Sequence, residues 1–356
     1  MRFSSIFKII ILNIFISKMA HSAVCEERYP PDSEECQYVQ ELEQKAEQGD
    51  ESAQFALGSW DAEGRYVKPD YKLAIKWLEK AGKQGSDFSY FILGYHYNYG
   101  ENFPLSRQKA LEWYRKAAEL GDSSTQEILG DAYMYGDGFP QNTQLALEWY
   151  RRAAAQGLAE AQDAIGVMFM QGEGVSQDYQ QALAWYRKAA RQGLPAAQTH
   201  LGIMSAFGRG VAQSDRQAIA WYRKAAKQDF AKAQYQLGVA YSTGRGVPEN
   251  SRNALKWYLK AAEQGFTPAQ LALGEIYAHG RQGVPKDNKQ AYIWYYMASI
   301  YTEKSKDDCS ALIAERNRLK GTLTPDQLSE TYAAFDLIRR KINQSKEAKK
   351  IARKKY

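Results

Sequence analysis

The stretch Ala159–Gly193, AEAQDAIGVMFMQGEGVSQDYQQALAWYRKAARQG, decides the fold because close copies of it recur along the chain. Tryptophan marks the copies most clearly, since successive tryptophans are 36 residues apart and the last follows after 37. A fixed period of this length is typical of stacked supersecondary units. The sequence therefore predicts a repeat array, with function on an extended surface rather than in one catalytic cleft. The marker residues are Trp77, Trp113, Trp149, Trp185, Trp221, Trp257 and Trp294.

The spacing of apolar residues within one copy predicts two helices. Ala161, Ile165 and Met168 recur at helical spacing, and Gly172 then interrupts the pattern. The second helix begins after a turn, and each copy places Ser, Asp or Asn at its start, residue types whose side-chain oxygen accepts an orphan backbone N–H. A closing Gly sits at the left-handed C′ position in most copies, and Asp229 replaces it in the fifth. The predicted N-caps are Asp70, Ser106, Asn142, Asp178, Ser214, Asn250 and Asp287.

Small and large residues alternate between the two helices. Each first helix carries a Leu-Gly or Ile-Gly pair, and each second helix carries an Ala three residues before its Trp, so both helices allow close approach. One helix pair cannot bury its own apolar face, and stability must come from stacking. We expect the tryptophan stripe to lie in the core between helix pairs.

The pattern Ala-x-Ala-Gln-x-x-Leu-Gly-x-x-Tyr-x-x-Gly-x-Gly-Val…Ala-x-x-Trp-Tyr-x-Lys-Ala-Ala-x-Gln-Gly resembles the Sel1-like repeat, a family related to tetratricopeptide repeats. The resemblance covers residues 42–299 and departs most in the second copy, at Ser89-Tyr90 and Asn102. It implies an all-α fold, a right-handed α-solenoid of antiparallel helix pairs built from seven 36-residue repeats. Residues 300–338, with Thr324 as a further N-cap, are expected to form C-terminal capping helices.

The first residues have the composition of a secretory signal. Arg2 and Lys8 precede an apolar run too short to span a bilayer, and small residues follow, so residues 1–23 are predicted to be a signal peptide. Cleavage after Ser22 and cleavage after Ala23 both fit, and an uncleaved anchor is the alternative. No other segment is expected to cross a membrane.

Residues 24–41 form an N-terminal segment that holds two of the three cysteines. In an oxidising compartment Cys25 and Cys36 can close a small disulfide loop, and this pairing is one of two open alternatives. Cys309 is then free, buried or intermolecular.

Charge is concentrated at the two ends of the chain. Residues 1–23 contribute +3 and residues 339–356 contribute +8 to the formal net charge of +6, which leaves residues 24–338 at −5. The body is therefore mildly acidic, and nucleic acid is not expected as a partner. The basic tail, residues 339–356, is interpreted either as a solvated terminal helix or as an arm for weak contact with an anionic surface.

Motifs for catalysis or for binding a cofactor are few. His96, His200 and His279 lie in three different repeats, and no phosphate-binding loop or metal-ligand spacing occurs, so no metal or cofactor is expected. Ser106 and Lys109 match the Ser-x-x-Lys of serine β-lactamases, but Ser106 occupies the N-cap position and the partner motifs are absent. The chain is predicted not to be an enzyme, with a β-lactamase-like hydrolase as the least favoured reading.

Candidate binding residues are those on the first helices that differ from the repeat pattern, since the first helix lines the concave face in related solenoids. Aromatic and Met side chains are enriched in interfaces, and Asp131 adds polar specificity. The alternative is that many of these residues pack between repeats. The candidates are Tyr90, Tyr95, His96, Tyr99, Asp131, Met134, Tyr135, Met168, Met170, Met204 and Phe207.

These observations predict an exported, non-catalytic scaffold that binds a protein or peptide through its concave surface. The resemblance implies a Gram-negative bacterium, with the chain in the periplasm, secreted or at the cell surface. The chain is similar to exported members of the family, including secretory-immunoglobulin-A-binding Sel1 repeat proteins, which favours a host-interaction or virulence-type role. A periplasmic envelope adaptor is the alternative.

Overall fold

The computed structural model describes residues 33–64, 68–100, 102–302 and 310–354. Seventeen α-helices account for the regular structure in these ranges, apart from one isolated bridge between Arg281 and Val284. The chain divides into two compact units, Met1–Ser176 and Gln177–Tyr356. The prediction of an all-α fold built from helix pairs is confirmed.

The first unit contains one leading helix, three complete helix pairs and the first helix of a fourth pair. Consecutive helices of a pair pack antiparallel, and each pair packs on the next. The helices are α1 (Glu34–Glu47), α2 (Glu51–Glu63), α3 (Tyr71–Lys83), α4 (Asp87–Tyr99), α5 (Arg107–Leu120), α6 (Ser123–Tyr135), α7 (Thr143–Ala155) and α8 (Ala159–Gln171).

The second unit begins with the second helix of the fourth pair and continues with three further pairs and two terminal helices. The extra residue of the seventh repeat is accommodated where Arg281 and Val284 exchange backbone hydrogen bonds of 2.9 and 2.7 Å. The helices are α9 (Tyr179–Arg191), α10 (Pro195–Phe207), α11 (Asp215–Ala226), α12 (Ala231–Thr243), α13 (Ser251–Ala262), α14 (Thr267–His279), α15 (Asn288–Thr302), α16 (Ser310–Lys320) and α17 (Pro325–Lys354).

All seven predicted N-caps are confirmed. Asp178, for example, accepts hydrogen bonds from the backbone N–H groups of Gln180 and Gln181 at 2.8 and 3.0 Å. Asp229 has the left-handed φ of +59° that its position requires in place of glycine. The helix boundaries are thus set by local capping chemistry.

Loss of one cap is expected to weaken the array measurably. The Asn142 side chain accepts from Gln144 N and Leu145 N at 3.1 and 3.0 Å, so Asn142→Ala should lower the free energy of unfolding by about 1 kcal/mol. Urea unfolding followed by circular dichroism measures this change. Asn142→Ser retains a capping oxygen and should cost less than half as much, and equal costs for the two variants would contradict the capping role.

The core between the helices of a pair is built on glycine and tyrosine. A Cβ atom placed on Gly94 would lie 2.4 Å from Tyr114 Cδ1, and one on Gly130 would lie 2.4 Å from Tyr150 Cε1. The same close approach recurs in the second unit at Gly202, Gly238 and Gly274. Glycine is required there because the aromatic ring occupies the space that a side chain would need. The buried rings are Tyr114, Tyr150, Tyr222, Tyr258 and Tyr295.

The tryptophan stripe is less buried than its periodicity predicts. Trp77, Trp149 and Trp294 are buried, as expected. The other four tryptophans are only half-buried, and in each the lysine three residues later lies over the indole ring, with Nζ 3.9–4.9 Å from the centroid. The expectation of a uniformly buried stripe is therefore wrong for Trp113, Trp185, Trp221 and Trp257, whose outer face is covered by a cation–π contact.

A ladder of glutamines joins successive repeats. Gln126 donates to the carbonyl of Ala118 in the preceding helix at 3.0 Å, and Gln156 donates to Gln126 Oε1 at 3.0 Å and to the carbonyl of Gly121 at 2.8 Å. Equivalent bonds link Gln84 to Gln54 in the first unit, and Gln228 to Gln198 and Gln264 to Gln234 in the second. The ladder satisfies carbonyl groups at helix C-termini that have no partner within the helix.

The second repeat replaces this ladder with an aromatic contact. Tyr90 stands in the glutamine position, and Leu120 stands where its partner glutamine would be. The Tyr90 ring stacks on Trp113 at 5.7 Å and fills the space above Gly82, where a Cβ would lie 2.4 Å from the ring. Tyr90, predicted as a binding residue, is therefore buried and packs between helices.

The two terminal helices pack on the last repeat. Phe335 of α17 stacks on Tyr296 of α15 at 4.1 Å, and Leu319 of α16 joins the same cluster. Thr324 caps α17 as predicted: it accepts from Gln327 N, and Gln327 Oε1 accepts from Thr324 N. The basic tail continues α17 as helix as far as Lys354.

Several predictions fall on parts of the chain outside the described residues. The signal peptide, Cys25 and Cys309 all lie there. Cys36 is buried and disulfide-bonded, and its pairing with Cys25 stays a prediction.

Candidate binding surface

The first helix of each pair places the candidate residues on different faces. His96, Met168 and Met204 occupy one repeat position that points into the core, and all three are buried. Met134 is also buried. Burial of these four residues favours the alternative that they pack within the array, and a role in binding stays an untested prediction for them.

A second repeat position, three residues further along each first helix, points outward. Tyr99, Tyr135 and Phe207 are 50%, 75% and 59% exposed. In the second unit, the guanidinium groups of Arg209 and Arg245 lie 5.4 and 5.8 Å from the Phe207 ring centroid. Tyr95, Asp131 and Met170 are half-buried, so each retains an accessible edge.

Five aromatic residues in the first unit form a continuous exposed surface, which we call the aromatic stripe: Phe55, Phe88, Phe91, Tyr95 and Tyr99. Phe88 stacks on Phe91 at 5.7 Å, and Tyr95 lies 4.6 Å from Tyr99. Phe55 of α2 extends the stripe to the preceding repeat through a 5.7 Å contact with Phe88. Phe88 and Tyr99 are exposed, and the other three rings of the stripe are half-buried. Apolar patches of this kind on a soluble surface mark interaction sites.

A cavity of about 220 Å³ opens beside the end of the stripe. Three helices of the first unit line it: α4 contributes Asn98 and Tyr99, α5 contributes Arg107 and Tyr114, and α6 contributes Ile128 and Asp131. The cavity is smaller than the 300–1,000 Å³ typical of cofactor and drug sites and much larger than one water molecule. Its size suits a single side chain of a bound chain.

The two charged residues of the cavity differ in how they are compensated. Arg107 donates from Nε to Asp137 at 2.9 Å and from Nη1 to Asn98 Oδ1 at 2.8 Å, and its Nη2 pairs with the same Asp137 oxygen. Asp131 accepts a 2.6 Å hydrogen bond from the Tyr150 hydroxyl. Within the described residues, no lysine or arginine lies close enough to Asp131 to form an ion pair.

Burial raises the pKa of Asp131, although the Tyr150 hydrogen bond and the positive charge of Arg107 oppose the shift. Because the folded pKa lies above the unfolded one, the ionised carboxylate costs stability at neutral pH, and this cost is relieved as pH falls through the folded pKa. Burial, followed by the charges of Asp131, Glu173 and Glu127, also raises the pKa of Tyr135.

Sequence reasoning missed Phe55, Phe88 and Phe91 of the stripe and Asn98, Arg107, Tyr114 and Ile128 of the cavity. Phe88 and Phe91 carry a usable signal, since aromatics at positions 88, 91, 95 and 99 share one helical face. Arg107 has no such signal, because its role depends on a contact with Asp137 in the following turn.

The Ser-x-x-Lys pair does not form a catalytic arrangement. The Ser106 hydroxyl accepts from the backbone N–H of Lys109 at 3.4 Å, and Lys109 Nζ lies over the Tyr97 ring, 5.4 Å from its centroid. In the described ranges, no group of three His, Cys, Asp or Glu side chains is placed to hold a metal ion, and no helix is both long and apolar enough to cross a membrane.

Stacked helix pairs with an exposed first-helix surface define an α-solenoid repeat protein. The chain belongs to the Sel1 repeat family, whose model matches seven consecutive segments. These are residues 51–86, 88–122, 123–158, 159–194, 195–230, 231–266 and 267–299. Sel1 repeat proteins generally act as scaffolds for protein–protein interactions.

Several solved structures are similar to the chain. A Sel1 repeat protein from Oxalobacter formigenes is 32% identical, with a TM-score of 0.68 over 85% of each chain. The protective antigen c5321 of uropathogenic Escherichia coli strains, which displays an SLR fold, is 26% identical over 85% of this chain and 87% of its own, with a TM-score of 0.44. The immunity protein Pa5087 from Pseudomonas aeruginosa is 22% identical over 55% and 75% of the two chains, with a TM-score of 0.43. No curated protein matches.

Proposed function

We propose that this chain is a non-catalytic scaffold that holds an extended segment of a partner protein against the first-helix surface of α2, α4 and α6. The aromatic stripe is the observation that carries the proposal. Its five rings contact one another along two repeats and still leave Phe88 and Tyr99 exposed. Aromatic side chains supply much of the binding energy at protein interfaces because they bury large areas at low entropic cost.

Export of the scaffold is part of the proposal. The basic start, the short apolar run and the small residues up to Ala23 support a signal peptide. The partner is then a protein of the cell envelope or of the host. Cell fractionation with N-terminal sequencing should find the mature chain, starting at residue 23 or 24, in the periplasm, on the surface or in the medium. Full-length protein in the cytosol would contradict export, and strictly periplasmic protein would favour the envelope adaptor over the host-interaction role.

Photocrosslinking in living cells tests the location of the binding surface. A benzophenone amino acid at Tyr99 or Tyr135 should give a crosslinked partner protein, identified by mass spectrometry, because both side chains are exposed on the first helices. Glu112, exposed on the second helix α5, is the control position and should give none.

Polar substitutions in the aromatic stripe test whether the stripe is needed for binding, with a substitution outside the stripe as the control. Phe88→Ser together with Phe91→Ser should reduce the crosslink from Tyr135 at least about tenfold, since hot-spot residues contribute 2 kcal/mol or more. Leu105→Ser changes an exposed apolar residue outside the stripe and should leave the crosslink intact. Equal crosslinking from Glu112, or a crosslink unaffected by the stripe variant, would place the binding surface elsewhere.

A further inference from the structure

The cavity beside the aromatic stripe has a chemistry more specific than that of the stripe itself. Its floor and rim combine an aliphatic side chain, Ile128, two aromatic rings, Tyr99 and Tyr114, and one carboxylate, Asp131. The apolar groups suit the methylene stem of a long side chain, and the carboxylate suits a cation at its tip.

The sign of the ligand's charge follows from which charged side chain of the cavity already has a partner of opposite charge. Arg107 directs its Nε and Nη2 to Asp137 and its Nη1 to Asn98, so it offers little to an incoming anion. The Asp131 carboxyl group accepts a hydrogen bond from Tyr150 and forms no ion pair in the described part of the chain. Asp137, which compensates Arg107, lies outside the cavity lining, so within the described residues Asp131 is the lining charge without a partner of opposite charge.

The surroundings add to this preference. The electrostatic effects of Glu127 and Glu173 reach the exposed Tyr135 ring, which lies one helical turn beyond Asp131. Tyr99 is half exposed at the rim, and tyrosine faces attract ammonium and guanidinium groups. An acidic side chain would meet the Asp131 carboxylate here, at a cost of like-charge repulsion.

We propose that this cavity takes the side chain of a lysine or arginine residue of the partner segment, with the Asp131 carboxylate as its counter-ion and Tyr99 at its rim. The inference rests on the proposed function, because it assigns the specificity of the same binding surface. The aromatic stripe supplies affinity along the segment, and the cavity fixes its register by accepting one basic residue.

Asp131→Asn is the informative substitution. It removes the charge but keeps an oxygen that can accept from Tyr150, so the fold and the cavity should persist. Because burial already opposes ionisation of Asp131, the thermal midpoint of the variant should be equal to or above that of the parent chain. Glu148→Gln in α7 is the control, since it removes one exposed carboxylate from the same unit outside the cavity.

The probe is a phage-displayed library of random dodecapeptides selected on the immobilised mature chain. Selected peptides should share one position enriched in lysine or arginine, flanked by apolar or aromatic residues. Replacing that basic residue by alanine should weaken binding at least about tenfold on the parent chain and on Glu148→Gln, as expected for a hydrogen bond to a charged group. On Asp131→Asn the same replacement should change the affinity less than threefold.

The outcomes separate this inference from the proposed function. If no peptide binds the parent chain better than the Phe88→Ser, Phe91→Ser variant, the proposed surface fails and the inference fails with it. If peptides bind through the stripe but show no basic position, or if Asp131→Asn retains the full preference for lysine and arginine, only the cavity assignment is overturned. Enrichment of Asp or Glu would assign the cavity to an anion and overturn it equally.

Discussion

Tyr222→Ala is expected to lower the free energy of unfolding by about 3–5 kcal/mol, the range for removing a buried aromatic side chain. The Tyr222 ring is buried in a cluster with Ala206, Ala218 and Leu237, which brings together side chains from three helices, α10, α11 and α12. Gly202, Ala206 and Ala218 border the cavity left behind, and they have little or no side chain with which to fill it. The loss is therefore expected at the upper end of what a single substitution does.

The neighbouring tryptophan supplies the matched comparison. Trp221 is only half-buried, and Lys224 Nζ lies 4.3 Å from the centre of its ring. Trp221→Ala should therefore cost about 1–2 kcal/mol, part of which is the lost cation–π contact. Urea unfolding measures both variants, and amide hydrogen exchange shows whether the loss spreads from α11 into α10 and α12. If Trp221→Ala lowered the free energy of unfolding more than Tyr222→Ala, the tryptophan and not the tyrosine would be the main packing residue between the helices.

This contrast shows where sequence periodicity stops being informative. The repeat marks Trp and Tyr equally, because both recur every 36 residues, with few exceptions among the tyrosines. Adjacent residues on a helix point about 100° apart, so only one of them can face the partner helix. The glycine of the first helix leaves room for the tyrosine ring of the second helix. This contact is visible only once the two helices are placed together.

Features that depend on local chemistry were predictable. The seven N-caps, the left-handed Asp229 and the capping of α17 by Thr324 each require only a few consecutive residues. The repeat length then fixed the number and order of the helix pairs. The caps and the order of the helix pairs could be predicted without knowing any contact between distant residues.

The candidate site was only partly predictable because the first helices are apolar on more than one face. His96 and Tyr99 are both aromatic, yet one is buried and the other exposed. A hydrophobic pattern distinguishes core from surface only where the surface is polar. In the second repeat, which carries most of the aromatic stripe, the exposed face is also apolar, so the pattern does not separate core residues from surface residues.

Contacts between repeats were the other missing information. Arg107 pairs with Asp137, and at the equivalent positions three repeats later Asp215 pairs with Arg245 at 3.1 Å. The two ion pairs occupy the same repeat positions with their charges exchanged. Comparison of the repeats with one another could have shown this exchange, but a reading of each helix alone does not.

Gly202→Ala is expected to destabilise the second unit by about 2 kcal/mol, against the usual direction for this change inside a helix. Alanine has a helix propensity about 1 kcal/mol better than glycine. The added Cβ, however, would lie 2.4 Å from Tyr222 Cε1 and 2.6 Å from Tyr222 Cδ1. The ring is held on all sides in the cluster, so it cannot move away without opening space elsewhere, and overpacking of this kind costs about 1–3 kcal/mol or more.

The direction of the effect should reverse when the ring is absent. In a Tyr222→Ala background the Cβ of Gly202→Ala meets no aromatic ring, and only the gain in helix propensity remains, so the second substitution should stabilise the protein by about 0.5–1 kcal/mol. Gly193→Ala is the control, because its Cβ would have no heavy atom within 4 Å and its φ of +94° makes the cost one of backbone strain alone. That cost should be the same with or without the Tyr222 ring. A Gly202→Ala effect that is likewise independent of Tyr222 would show that helix packing at this position does not depend on the glycine–tyrosine contact.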